Sequence, residues 1–471
     1  MVEPVEAAAI AAAECTVFDP KSKFKIEAHK KKHPKPKPWC WLCNWDGSYH
    51  LAEDNRFPTG LLSKVETALQ ANGWEIEIVD GRREPVAERH PLPEDFQFRP
   101  HQAEVFPLIE AAPRGMWEMP PSAGKTIILL ARWYQLRVPG LIMVPSRAIA
   151  KQFIDTAKRV FGIDAGLVGE GKWKPAELTI AITAMLWARR EKPEYEELIK
   201  SIDFLGIDET HHLGALTWYK IAMDCPAYYR YGQSATLKRT DAFTICLQAA
   251  TGPLLCSISA AELVERGQIA KPIFIIHKAR PPAKSWKEYI EEHTSPDKEL
   301  SSAQLYRLSY EYWITNNSRR NAQILEIARR EYDEGRTVLI LVQRLPQGWY
   351  LQTALRAIGY PCEFLLGQTK SKHMYAILDK ARAGERMIVI GSPMLDEGVD
   401  VPAFESVIIA CAGKSHIKTI QRIGRGMRPK EGENTVRIHD FVDDDPLGYL
   451  RRHSHSRIAM YKKQGGHIEY A

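Results

Sequence analysis

No stretch of the 471 residues approaches the ~20 consecutive apolar positions that a helix needs to cross a bilayer, so membrane insertion is not expected. Positive charge is missing where a secretory signal would place it: the opening residues carry Glu3 and Glu6 instead, which argues against export and for the cytoplasm. Ordered cysteine spacing is missing too. Cys15, Cys225, Cys246, Cys256, Cys362 and Cys411 follow no regular interval, the pattern of reduced, buried thiols rather than of a disulfide framework. There is one C-x-x-C pair, Cys40 and Cys43, and no second to complete a zinc site of the usual kind. No constellation of a nuclease, ligase or polymerase is legible.

What is present describes a globular chain of two to four domains: 45% hydrophobic and 26% charged residues in a length too great for one core. Net charge is +6, which permits a polyanionic partner. Between residues 21 and 38 stand eight lysines, Lys30, Lys31 and Lys32 among them, against a single Glu27. Such a strip is either a solvated tail or a phosphate-binding face.

The chain reads as five segments. Residues 1–15 are an alanine-rich leader without an amphipathic face, expected to be disordered or a frayed helix. Residues 16–90 form a small α+β segment with a strand at 74–79, closed by a proline-containing linker. From 91 the texture changes to short apolar runs, each followed by a helical pattern: 140–145, 178–183 and 204–208. A second series follows at 337–342, 362–366, 386–390, 406–410 and 435–441. Runs of this length between helices indicate buried parallel strands in βαβ units. The expected fold class is therefore α/β: two tandem parallel-sheet domains, at 91–275 and 316–471, the second ending in a helical tail. Residues 276–315, rich in Tyr and Trp, link or brace them.

Residues 119–126, Met-Pro-Pro-Ser-Ala-Gly-Lys-Thr, lie between an apolar run and a helical pattern. Strand, tight loop and helix in that order make a phosphate cradle, in which Ser122, Ala123 and Gly124 turn the backbone. Lys125 would neutralise the β/γ oxygens of a nucleotide and the Thr126 hydroxyl would ligate Mg²⁺. Met119 stands where the motif has glycine. Downstream, Asp208 and Glu209 end an apolar strand, where one carboxylate can hold Mg²⁺ through water and the other can take a proton from attacking water. His211 could couple this pair to Ser234 and Thr236, two hydroxyls at a later strand end. His212 is read as surface or packing.

In the second domain Arg425 and Arg428 sit at i,i+3 behind Gln421, placed to stabilise charge on a transferring phosphoryl group or merely to form a basic helix face. Gly398 allows close backbone approach, and Asp400 beside it could hold a ribose or the arginines; a plain acidic turn is the alternative.

Together and in this order, these pieces resemble the superfamily-2 DExH helicases, whose motor is a pair of RecA-like domains driven by ATP and Mg²⁺. The resemblance runs from Arg99 to Arg428. It implies that Arg99 and Gln102 read adenine, that Lys125, Asp208, Glu209, Gln421, Arg425 and Arg428 serve hydrolysis, and that Gly398 and Asp400 join the nucleotide site. Pro145, Ser146, Arg147, Gln152 and Thr183 would touch a nucleic-acid backbone. Residues 43–47, 57–62 and 72–78 are similar to the small DNA-binding domain that precedes the motor in UvsW-type phage helicases. Those enzymes remodel forks, Holliday junctions, D-loops and R-loops in recombination, replication and repair, which for a phage protein would place it in the host cytoplasm. The same context favours a zinc-free hairpin over a site built from Cys40, Cys43 and His33 or His50, and packing over base stacking for Trp39, Trp41 and Trp45. The lysine strip has no counterpart in that pattern. An RNA helicase would share the motor motifs, as would a duplex translocase without strand separation; a non-catalytic DNA-binding or annealing protein would have no use for Lys125, Glu209 and Arg428.

Overall fold

The computed structural model describes residues 5–18, 26–27, 29, 48–82, 84–85, 88–237, 244–294, 300–366, 369, 371–392, 404–413, 434–462 and 466–471. The chain packs as two compact units, Met1–Met119 with Gly124–Ser257, and Ile258–Ala471, to which the four residues Pro120–Ala123 also group.

The first unit is built on a sheet of strands β3 (Arg114–Glu118), β4 (Gly140–Val144), β5 (Gly166–Gly169), β6 (Lys172–Lys174), β7 (Leu178–Ile182), β8 (Phe204–Asp208), β9 (Tyr229–Ser234) and β10 (Leu254–Ser257). Their order is β10-β3-β9-β8-β4-β7-β5-β6, parallel throughout except the β5–β6 pair. Helices cover both faces, so β4 and β8 are buried at every position, and this is why they read as continuous apolar runs rather than alternating ones. One face of the core gathers Leu141, Met143, Leu205, Ile207 and Ile221. Each such side chain contributes about 1.5–3 kcal/mol by leaving water. The order matters for function. Although β3 and β4 are consecutive, β9 and β8 insert between them, and the C-terminal edge beside such a crossing is where α/β sheets bind ligands.

The N-terminal segment belongs to this unit, and one expectation about it fails. Of the two readings of the leader, disordered or helical, Val5–Glu14 takes the helix: Ala7, Ala8 and Ala11 are buried, and the small side chains of Ala7 and Ala11 let it pack closely against Leu61, Val65 and Leu69. Among the described residues, 74–79 forms no strand. Trp74 and Ile76 do lie against the same cluster, so the alternating pattern reported one-sided burial without a ladder to pair with. The segment has a two-stranded ribbon, β1 (Thr16–Phe18) antiparallel to β2 (Ser48–His50), and a helix, Leu62–Ala71, that shares its core with Ala249 of the sheet domain. Lys30, Lys31 and Lys32, and Cys40 and Cys43, lie outside the described residues.

The second unit holds β11 (Lys271–Lys278), β12 (Val338–Leu341), β13 (Cys362–Leu365), β14 (Ile388–Gly391), β15 (Ser406–Ile409), β16 (Thr435–Val442) and β17 (His467–Tyr470), ordered β13-β14-β12-β15-β16-β11-β17 and all parallel. Every strand expected from the second apolar series is present. The expected domain limits are not. β11 begins inside the span assigned to the first domain and crosses its expected limit, yet pairs with β16 over eight residues, so the division comes at 257 rather than 275. Residues 276–315 are no linker either. Their helices Trp286–His293 and Ser302–Tyr310, with the turn Glu311–Thr315 that follows, place Tyr289, Tyr310, Tyr312 and Trp313 in one cluster with Ala412 and Leu450 of the second unit. Aromatic residues marked a core here, not a brace.

Candidate active site

Three strand ends meet at the C-terminal edge of the first sheet. Glu118 of β3 is in register with Ser234 of β9, and Gln233 of β9 with Asp208 of β8. The loop after β3 turns into the helix Lys125–Leu136 through two left-handed residues, Ser122 (φ +68°) and Gly124 (φ +79°). A side chain at Gly124 would collide with the Gln102 amide. Glycine is therefore required there on two counts, conformation and space. Lys125 Nζ donates to the Met119 carbonyl at 3.1 Å, and Met119 N donates to the Ser234 carbonyl at 3.0 Å, tying the loop to β9. Met119 is fully buried, so the position that departs from the glycine of the motif holds the loop by packing. Gln102 accepts from Arg99 N at 2.9 Å and donates to the Gly124 carbonyl at 3.3 Å; the residue expected to read a base is at this point fastened to the phosphate loop.

Asp208 is buried and Glu209 nearly so, and an amide, a hydroxyl and an imidazole face them. Gln233 Nε2 donates to Asp208 Oδ1 at 2.9 Å, and Ser234 Oγ to Glu209 Oε2 at 3.5 Å; His211 Nδ1 lies 3.2 Å from the same Glu209 oxygen. Glu209 takes φ +49°, left-handed for a residue with a side chain. Strain of that kind costs on the order of 1–3 kcal/mol and gathers where a site needs a set geometry. Burial and the neighbouring Glu209 charge push the Asp208 carboxyl up, to about 7. Burial pushes on Glu209 as well, but the His211 hydrogen bond and the Lys125 charge outweigh it and hold that carboxyl low. Two adjacent carboxyls whose environments drive them apart can divide the work of proton acceptor and neutral partner.

Ser234 Oγ lies 3.0 Å from His211 Nδ1, accepts from Thr236 N at 3.2 Å and donates to the Thr236 carbonyl at 3.1 Å. The expected coupling of His211, Ser234 and Thr236 is thus a contact. His212 stacks on Trp218 instead, with ring centres 5.1 Å apart.

The residues present fit a nucleotide with a hard divalent cation: a helix N-terminus behind a glycine turn, one ammonium, and oxygen donors at Thr126 and Asp208. Mg²⁺ held by that hydroxyl, and by Asp208 through water, would supply charge to offset the phosphates. Among the described residues no group of three His, Cys, Asp or Glu side chains could hold a metal by itself.

Other expected contacts are placed differently. Thr183 is buried, its hydroxyl donating to the Val144 carbonyl at 3.2 Å, so its side chain steadies the end of β4 rather than facing a ligand. Ser146 caps the helix Arg147–Phe161 by accepting from Ile149 N at 3.4 Å. Arg147 pairs with Glu170 at 2.7 Å, and Pro145 and Gln152 are half-buried beside the cap. Gly398, Asp400, Gln421, Arg425 and Arg428 lie outside the described residues. Sequence reading missed Gln233, whose adjacency to Asp208 depends on sheet register, and Glu118, which precedes the loop with no motif of its own.

Residues 95–239 match the family described as "Type III restriction enzyme, res subunit", and residues 319–430 the "Helicase conserved C-terminal domain". Similar proteins include Putative helicase 22 of a Sulfolobus islandicus filamentous virus, 26% identical over 71% of this chain and 61% of its own length. The DNA 3'-5' translocase XPB2 of Sulfurisphaera tokodaii is 24% identical over 76% of this chain and 84% of its own. The ATP-dependent DNA helicase uvsW of Enterobacteria phage T4 is 22% identical over 89% and 88%. Among solved structures, the restriction-modification enzyme LlaBIII bound to DNA covers 79% of this chain with 29% of its own length, at TM-score 0.56 and 14% identity. S. cerevisiae Dbp5 bound to RNA and ADP BeF3 covers 79% with 88% of its own, at TM-score 0.55 and 15% identity. No helix among the described residues is long and apolar enough to cross a membrane.

Proposed function

The chain is a superfamily-2 helicase and an ATPase, and from that premise we propose that it unwinds or branch-migrates forked and crossed DNA. The observation that carries the motor reading is the meeting of Lys125, Asp208, Glu209 and Ser234 at three adjacent strand ends. Lys125 and the helix N-terminus bind the phosphates of ATP, Thr126 and Asp208 hold Mg²⁺, and Glu209 accepts the proton of the attacking water. Arg425 and Arg428 supply positive charge to the transferring group, with Gln421 beside them, and Gly398 and Asp400 border the nucleotide.

DNA as the track rests on the relatives, two of which are named for action on DNA. The strand would be held through its phosphates, with residues 145–147 and Gln152 presenting a capped helix N-terminus, so binding is salt-dependent and largely sequence-blind. A role in recombination, replication and repair rests on the likeness to phage uvsW and on the lysine strip around Lys30–Lys32, which would grip duplex arms.

The test is steady-state ATPase with single-stranded DNA, blunt duplex, a four-way DNA junction and matched RNAs. Strongest stimulation by the junction supports the proposal, and a Lys30/Lys31/Lys32→Gln triple variant should lose that preference first. Stimulation by RNA alone would replace it with an RNA helicase. A second reading, translocation on duplex without strand separation, is favoured by the name of the XPB2 relative. Triplex displacement without junction unwinding would select it.

A further inference from the structure

Glu118 takes no part in the phosphate loop, yet its side chain joins the segment after β9 to the end of β10. It ends β3, one position before Met119, and stands in register with Ser234 of β9 on one side and Ser257 of β10 on the other. Its carboxylate accepts from Leu237 N at 3.0 Å through Oε1 and from Ser257 Oγ at 3.4 Å through Oε2. Leu237 directly follows Thr236, whose backbone is bonded to Ser234 Oγ, and Ser257 is where the chain leaves the first unit.

We propose that Glu118 is a positioning residue that passes the state of the nucleotide site to the chain crossing at Ser257. With His211 Nδ1, 3.0 Å away, donating to it, the Ser234 hydroxyl has one proton for two oxygens: Glu209 Oε2 at 3.5 Å and the Thr236 carbonyl at 3.1 Å. When Glu209 turns to the attacking water, that proton stays with Thr236; when Glu209 returns, it is shared again. Either change shifts residues 236–237, and Glu118 links Leu237 N to Ser257 by one rigid carboxylate. Because Glu118 reaches neither nucleotide nor metal, it governs how hydrolysis is used rather than how fast it runs. This rests on the motor reading above and adds its output path within the first unit.

The test compares wild type, Glu118→Ala, Glu118→Gln and Ser257→Ala for ATPase with and without single-stranded DNA, and for strands displaced per ATP. Glu118→Ala should keep its DNA-free ATPase within about twofold and lose about tenfold in displacement per ATP, the scale on which a mutated coupling element acts. Glu118→Gln should restore most of the loss, because the amide oxygen accepts the same backbone bond. Ser257→Ala, an exposed position where the fold is not at stake, should lose about threefold. Normal displacement by both Glu118→Ala and Ser257→Ala overturns the proposal, as does a Glu118→Gln variant no better than alanine. If Glu118→Ala loses thermal stability, Ser257→Ala decides: reduced displacement per ATP upholds the path and wild-type displacement ends it. A wild type without DNA-stimulated ATPase would instead overturn the motor reading, and this path with it.

Discussion

In the first unit Asp208 is buried beside the nearly buried Glu209, with an amide, a hydroxyl and an imidazole as hydrogen-bond partners. The second unit buries Asp440, Asp443 and Glu331 more deeply, and sets a guanidinium against each. Arg457 meets Asp440 through two nitrogens at 2.8 and 2.9 Å and reaches the Gly413 carbonyl; Arg320 meets Asp443 at 2.8 Å and the Ala410 carbonyl at 2.7 Å. Glu331 gathers Arg336, Arg437 and His439, and His439 passes on to His277 at 2.9 Å. Burial alone would push the Glu331 carboxyl up, yet these partners draw it down to about 2. The difference separates two uses of a buried charge. Paired with arginine it is a fastener, here holding residues 410–413 as they leave β15. Crowded against another carboxylate it is an unspent driving force, kept for a partner that arrives with the reaction.

The comparison is tested most severely at Glu209. Glu209→Gln should lower turnover about 10²–10⁴-fold, the usual worth of a positioned base, with no fall in the thermal midpoint. A clear loss of stability would make Glu209 a fastener like those of the second unit. Next in size, Arg457→Met should cost about 3–5 kcal/mol in denaturant unfolding, because Asp440 would stay buried without its counter-charge. A cost near zero would dissolve the contrast.

The units should also respond to pH in opposite senses, read by peptide-level hydrogen exchange. The Asp208 carboxyl is raised in the folded state, so its contribution is complete below the ordinary value of 3.8 and is lost as pH climbs through about 7. The Glu331 carboxyl is lowered, so its contribution is complete above 4.5 and is lost as pH falls through about 2. Protection around β8 should weaken toward neutrality while that around β16 weakens only in strong acid; parallel responses would refute the assignment. The smallest effect on stability is that of Asp208→Asn, which keeps the Gln233 bond and removes the repulsion. It should gain about 1 kcal/mol, abolish turnover and flatten the pH response of β8. Destabilisation would show that Asp208 is held by something its neighbours do not reveal.

Local pattern was enough to determine both parallel sheets and the tight turn that opens the helix at Lys125. Apolar runs such as 140–144 and 204–208 can be satisfied only by burial on two faces, and the glycine turn before Lys125 has one conformation to offer. The carboxylate pair and the hydroxyls were legible for the same reason, each sitting at the end of such a run. Tertiary structure decided which ends are neighbours. Gln233 touches Asp208, and Glu118 spans Leu237 and Ser257, because β9 lies between β3 and β8 and β10 lies outside β3, an order no local spacing encodes. It decided as well that Thr183 turns inward, that β11 belongs to the second sheet, and that two small alanines pack residues 5–14 against Leu61 and Val65. In each case the deciding quantity is the partner across the contact, and a partner distant in sequence leaves no mark on the residues beside it.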